Sequence, residues 1–103
     1  MKEIRNNDIS SLKGKECYIL FYFTASWCGP CQKIKPMIQK LSDGLTTDSL
    51  RIYMVDIDEN DDLCEKCGIT SVPTFMLFKN KEEVGQCGGA NIEKVAELIK
   101  PYC

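Results

Sequence analysis

The chain of 103 residues contains no histidine. That excludes Ser-His-Asp hydrolysis, a Cys-His nucleophilic dyad and any zinc site built on imidazole. Long apolar runs are also missing. The strongest, Tyr18 to Phe23, is far shorter than the roughly 20 residues that cross a bilayer, so no membrane association is expected. A surplus of one charge is missing too. Thirteen basic residues face 15 acidic ones, for a formal net charge of −2. There is no basic stripe to hold nucleic acid and no acidic tail. The opening residues Met1 to Asp8 lack the apolar core of a secretory signal, so a cytoplasmic, reducing setting is expected. What is present is ordinary for a soluble globular protein: 44% hydrophobic and 27% charged residues. The length suits a single domain over residues 1–103.

Against that background, seven cysteines are many. They are Cys17, Cys28, Cys31, Cys64, Cys67, Cys87 and Cys103. An odd number cannot all pair within one chain, and in a reducing setting most are expected to be free thiols. Cys28 and Cys31 belong to Trp27-Cys28-Gly29-Pro30-Cys31. Gly29 allows an unusual φ and Pro30 fixes φ near the helical value. The apolar run before this motif reads as a buried strand. After it, Ile34, Ile38, Leu41 and Leu45 recur at helical spacing. The motif therefore falls at a strand-to-helix junction, with Cys28 near the helix N-terminus. The free N–H groups and positive dipole end there favour a thiolate, the nucleophile of thiol–disulfide exchange.

The remaining pattern predicts a short edge strand over Lys2–Arg5 and a helical turn or two over Asn6–Leu12, ended by Gly14. A central strand follows over Cys17–Thr24, apolar on both faces as in a parallel strand covered on both sides. A long helix runs over Gly29–Leu45, with Pro36 expected to kink it. A second strand over Leu50–Ile57 leads through an acidic turn to a short helix, Leu63–Cys67, stopped by Gly68. Phe75–Phe78 and Glu82–Cys87 read as a hairpin turning at Lys79-Asn80-Lys81. Asn91 caps a last helix whose core face is Ile92, Val95, Ala96 and Ile99. Five strands with this order of helices imply an α/β fold: a mixed sheet with helices on both faces, the early strands parallel and the last two antiparallel.

A disulfide reductant needs an exposed attacking thiol, a resolving thiol and a surface that holds an extended substrate beside the sulfur. Cys28 and Cys31 suit the first two roles. Backbone groups near Val72-Pro73 suit the third if Pro73 is cis. The bland alternatives are half of a zinc site and a simple Gly-Pro turn.

The motif Trp27-Cys28-Gly29-Pro30-Cys31 resembles the active site of the thioredoxin family. The likeness extends to Phe23, Ala25 and Trp27, to Pro36, to Val55-Asp56-Ile57-Asp58-Glu59-Asn60, and to Val72-Pro73-Thr74. It continues through Phe78-Lys79-Asn80, Val84-Gly85 and Gly89-Ala90-Asn91, the last stretch being closest in pattern to eukaryotic members. The resemblance implies a thioredoxin fold, a Cys28–Cys31 redox disulfide with Cys28 as attacking nucleophile and Cys31 as resolving thiol, and a cis Pro73 facing them. Trp27, Gly29, Pro30, Val72, Pro73 and Gly89 would frame the substrate groove. It further implies electron transport to disulfide-containing client proteins, in cell redox homeostasis, from an NADPH-dependent thioredoxin reductase. The domain itself would need no cofactor and act as a monomer. Two alternatives stay open: a disulfide oxidant or isomerase, although Gly-Pro between the cysteines is similar to the reducing members, and a non-catalytic scaffold or binding subunit.

Two residues depart from the family pattern. Tyr22 stands where the family usually has a buried aspartate beneath the resolving cysteine, and Met54 where it has the partner lysine. Losing both together avoids leaving one buried charge unpaired, and should favour stability. A phenol is a poor base at neutral pH, so slower activation of Cys31 is expected, unless Tyr22 is core filler only. Lys81 replaces a usual glycine in the hairpin. Cys64 and Cys67 form a second Cys-x-x-Cys. A shared zinc site with Cys28 and Cys31 is disfavoured by the helix and strand between the pairs. They read as a small core residue and a partly exposed thiol, or as a regulatory disulfide. Cys17 and Cys87 read as packing. Cys103 or Cys67 offers an intermolecular disulfide on oxidation.

Overall fold

The computed structural model describes residues 2–4, 18–45, 50–79 and 82–102. The expected helical turn over Asn6–Leu12, Gly14, Cys17, the hairpin turn at Asn80-Lys81 and Cys103 lie outside the described residues. In chain order the elements are β1 (Lys2–Ile4), β2 (Tyr18–Thr24), α1 (Gly29–Asp43), β3 (Leu50–Asp56) and α2 (Asp61–Cys67). These are followed by β4 (Thr74–Lys79), β5 (Glu82–Gly88), α3 (Ile92–Ile99) and a 3-10 turn, Lys100–Tyr102. The strands form one mixed sheet in the order β1-β3-β2-β4-β5. β1 and β2 pair with β3 in parallel, while β4 and β5 run antiparallel to their neighbours. This is the expected mixed sheet.

β2 lies at its centre, and its side chains alternate between two cores as the period of a strand requires. Leu20 and Tyr22 face a core completed by Ile34 and Ile38 of α1 and Val95 and Ile99 of α3. Ile19, Phe21 and Phe23 face a second core completed by Leu63 of α2. Helices therefore cover both faces. Burial of each large apolar side chain contributes roughly 1.5–3 kcal/mol, so truncating Ile38, which is fully buried, to alanine should cost ~2–5 kcal/mol.

Two helix boundaries and one helix face differ from the sequence reading. α1 ends at Asp43, so Leu45 packs on the core from beyond the helix. α2 starts at Asp61, because Asp61 and Asp62 can occupy its first turn, where carboxylates complement the helix dipole. On α3, Ala96 is exposed, and Leu98 packs against the core instead. Leu98 reaches β5 at Gly85, where a Cβ would sit 2.6 Å from its Cδ1. The cap expected at Asn91 is present: its side-chain oxygen accepts from the N–H groups of Glu93 and Lys94. Gly68 ends α2 with φ +66°, the left-handed conformation that favours glycine. No described helix is long and apolar enough to cross a membrane.

Candidate active site

β2 delivers the chain to the C-terminal end of the central strand at Thr24, and the turn that follows is closed by Cys28 N–H donating to the Ala25 carbonyl at 3.2 Å. Cys28 is then the N-cap of α1, with extended backbone (φ −91°, ψ 108°). Its Sγ accepts from the N–H of Cys31 at 3.3 Å, and its carbonyl accepts from Gln32 N–H at 3.1 Å. The sulfur thus does what a serine or aspartate oxygen does at other helix starts. Gln32 adds a second tie, its Nε2 donating to the Ala25 carbonyl at 2.9 Å.

The sulfurs of Cys28 and Cys31 are bonded as a disulfide, with Cα atoms 5.3 Å apart. Cys28 is 6% exposed and Cys31 is fully buried. Both residues are buried, and what little exposure the pair has lies at Cys28. With Ala25 they form a small apolar cluster against which Ile57 and Val72 pack. The Val72–Pro73 peptide bond is cis. The Val72 carbonyl oxygen lies 3.8 Å from Cys28 Sγ, and the Pro73 carbonyl accepts from Gly89 N–H at 3.0 Å. Gly89 has φ +89°, so this meeting of two loops is built on a residue without a Cβ. Gly29 and Pro30 are exposed in the first turn of α1. Trp27 is 67% exposed, and its indole N–H donates to Asp58 Oδ2 at 2.9 Å. The fold gathers the expected residues in two linked contacts: Cys28, Cys31 and Val72 in one, Pro73 and Gly89 in the other. Trp27 stands at the rim on its own tie to Asp58.

Three supporting residues were not legible beforehand in these roles. Asp58 anchors Trp27, but among the five carboxylates of Asp56, Asp58, Glu59, Asp61 and Asp62 nothing local singles it out. Gln32 follows a cysteine with no motif of its own. Tyr22 is fully buried and its hydroxyl donates to the carbonyl of Cys31 at 2.6 Å. Burial holds the phenol above its ordinary value of 10.0, so it is a neutral donor at physiological pH. Tyr22 and Met54 are register partners in β2 and β3, as their shared departure from the family pattern requires.

The other described cysteines sit differently. Cys64 and Cys67 are half-buried and pack on the α2 side of the sheet. Burial, then Asp61, Asp56 and Asp58, push the Cys64 thiol up. Burial, then Cys64 and Glu83, push Cys67 up to about 11. Cys87 packs against the opposite core and is raised by burial, with Lys94 opposing. Elsewhere, the carboxylates of Glu3, Asp56 and Glu59 lie within 4.8 Å of one another. Such exposed acidic groups are common on surfaces, and nothing else there points to an ion.

Comparison with known proteins matches residues 5–101 to the thioredoxin family model. Thioredoxin of Malassezia sympodialis is 33% identical over 96 residues, covering 93% of this chain and 91% of the relative. Thioredoxin-1 of Saccharomyces cerevisiae is 34% identical over 93 residues, covering 90% and 88%. The X-ray structure of Fasciola hepatica thioredoxin superposes with a TM-score of 0.91 at 31% identity, over 100% of both chains.

Proposed function

The chain belongs to the thioredoxin family, and on that premise we propose that Cys28 is the attacking nucleophile and Cys31 the resolving thiol of its disulfide-reducing cycle. The activity is that of a thiol–disulfide oxidoreductase, reducing protein disulfides through a redox-active dithiol. The observation that carries the division of roles is the unequal burial of the bonded pair: Cys28, the N-cap of α1, keeps a little exposure and Cys31 keeps none. An approaching substrate sulfur therefore meets Cys28 first.

In the reduced protein, the Cys28 thiolate attacks one sulfur of a substrate disulfide. A mixed disulfide forms, and one substrate thiolate leaves and takes up a proton. Cys31 then loses its proton to solvent and its sulfur attacks Cys28 Sγ. The bond from Cys28 to the substrate breaks, and the second substrate thiolate is protonated. Two electrons and two protons pass to the substrate, and the Cys28–Cys31 disulfide remains. The first turn of α1 aids the opening step, since the unpaired N–H groups and dipole there stabilise a negative sulfur. The 3.3 Å approach of Cys31 N–H to Cys28 Sγ supports that reading directly.

The substrate is held, in this reading, as an extended strand across Val72 and Pro73, with Trp27, Gly29, Pro30 and Gly89 forming the rim. Support comes from the position of the Val72 carbonyl beside Cys28 Sγ and from the exposure of Trp27. Residues 1–103 act as one domain, in the cytoplasm, as a carrier in electron transport. An NADPH-dependent thioredoxin reductase returns the disulfide to the dithiol.

The test is reduction of insulin disulfides coupled to NADPH oxidation by that reductase. Turnover by the parent protein and none by Cys28→Ser is the expected result. Equal turnover by both would overturn the assignment. A Cys28→Ser/Cys31→Ser protein that keeps its biological role would favour the scaffold alternative.

A further inference from the structure

Tyr22 takes no part in the exchange just described, yet it reaches the same cysteine pair from beneath. It lies in the middle of β2 and is fully buried. Its ring stacks on Phe75, its register partner in β4, with centroids 5.1 Å apart and planes 9° from parallel. Met54 of β3 is its partner on the other side. With the ring set between two neighbouring strands, the hydroxyl donates to the main-chain carbonyl of Cys31 at 2.6 Å. The acceptor belongs to the first turn of α1, in the residue whose sulfur must find Cys28.

We propose that Tyr22 is a positioning residue for ring closure: by tying the Cys31 carbonyl to the centre of the sheet, it keeps the Cys31 sulfur within reach of Cys28 while the mixed disulfide exists. The inference rests on Cys31 being the resolving thiol. Closure competes with return of the departed substrate thiolate, and its rate is set by the effective concentration of the Cys31 sulfur at Cys28. That concentration stays high only if the first helical turn does not fray. A helix start is prone to fraying because its first N–H groups lack helical partners. Here Pro36 also removes the N–H that would bond the Gln32 carbonyl one position on. The phenol supplies an anchor from outside the helix, on a carbonyl oxygen with lone pairs for both a helical N–H and the hydroxyl. The same effective concentration sets the equilibrium, since a nearer Cys31 makes the internal disulfide more stable and its reduction potential more negative.

The test is Tyr22→Phe, which keeps the stacked ring and removes one oxygen. The Cys31 carbonyl retains its place in the helix, so no buried group is orphaned. Ellman's reagent separates the steps under stopped flow. The first equivalent of thionitrobenzoate reports attack by Cys28, and the second reports closure by Cys31. The signal of Cys28→Ser/Cys31→Ser is subtracted for the other thiols. Equilibration with dithiothreitol, followed by Trp27 fluorescence, gives the potential. The expected result is an unchanged first equivalent, a second about tenfold slower, and a potential less negative by ~30 mV, the two-electron equivalent of tenfold. Tyr22→Leu, which also loses the ring, is expected to lower Tm and to show the same split. A second equivalent and potential equal to the parent's in Tyr22→Phe, or equal slowing of both equivalents, would overturn the proposal. Cys31→Ser isolates the premise. Retention of the first equivalent and loss of the second upholds Cys31 as resolving thiol, whereas release of both removes that assignment, whatever Tyr22→Phe does.

Discussion

Two pairs of cysteines with the same spacing lie in this chain, one opening α1 and the other in the last turns of α2. At Cys28 the sulfur faces the positive end of a fifteen-residue helix and accepts a backbone N–H. Cys67 is the final residue of a seven-residue helix, at its negative end. The Cys64 carbonyl is itself occupied in closing that helix, accepting from Ile69 N–H at 3.0 Å. Burial, then Asp61, Asp56 and Asp58, raise Cys64, and Cys64 and Glu83 add to the effect of burial on Cys67. Spacing alone therefore does not make a redox site. The end of the helix on which it falls, and the charges around it, decide whether a thiolate is favoured.

The sharpest way to break this comparison is to remove each pair in turn. Cys28→Ser should abolish insulin reduction, while Cys64→Ser/Cys67→Ser should retain turnover within about twofold, because neither sulfur belongs to the exchange. A large loss in the second protein would make α2 part of the cycle. The next effect is in labelling. In the reduced protein at pH 7, iodoacetamide should modify Cys28 well over tenfold faster than Cys67, read by mass spectrometry of peptides. With its thiol at about 11, Cys67 should begin to label appreciably only as pH rises well above 9.

A smaller effect concerns stability. A thiol raised from 9.0 to about 11 keeps its proton in the folded chain after the unfolded chain has lost it. The contribution is therefore complete below pH 9 and disappears as pH climbs through 11. The urea-midpoint difference between the parent and Cys67→Ala should shrink between pH 8 and pH 10.5. A difference that grows over that interval would reverse the sign. The smallest expected change is in Asp61→Asn. Asp61 is exposed and screened, so labelling of Cys64 should accelerate by no more than about threefold, and less at high salt.

What the sequence made legible follows the same physics. The strand-to-helix junction at Cys28, the order of strands and helices and the caps at Asn91 and Gly68 were readable, because each depends on residues close in the chain. The stretch at Val72-Pro73 was readable as a substrate-holding surface if Pro73 is cis, while the family resemblance supplied Gly89, which no local pattern would have joined to it. Ala96 was misjudged because helical spacing gives a face but not its width. Leu98 gained the contact because Gly85, on another element, leaves room for it. The bonds from Trp27 to Asp58 and from Tyr22 to Cys31 were invisible for a like reason. Each joins residues whose proximity is created only when β2 and β3 pair or α1 settles on the sheet. A tyrosine in an apolar strand signals burial, not the destination of its hydroxyl.

The capping sulfur of Cys28 bears on how an inactive form of this protein should be made. Serine is among the best residues at a helix start, so Cys28→Ser replaces a sulfur acceptor with an oxygen acceptor and leaves α1 properly begun. Alanine would remove the nucleophile and the cap together, at a cost of roughly 1 kcal/mol. A phenotype seen with alanine would then mix lost chemistry with a loosened helix. One seen with serine would report the chemistry alone.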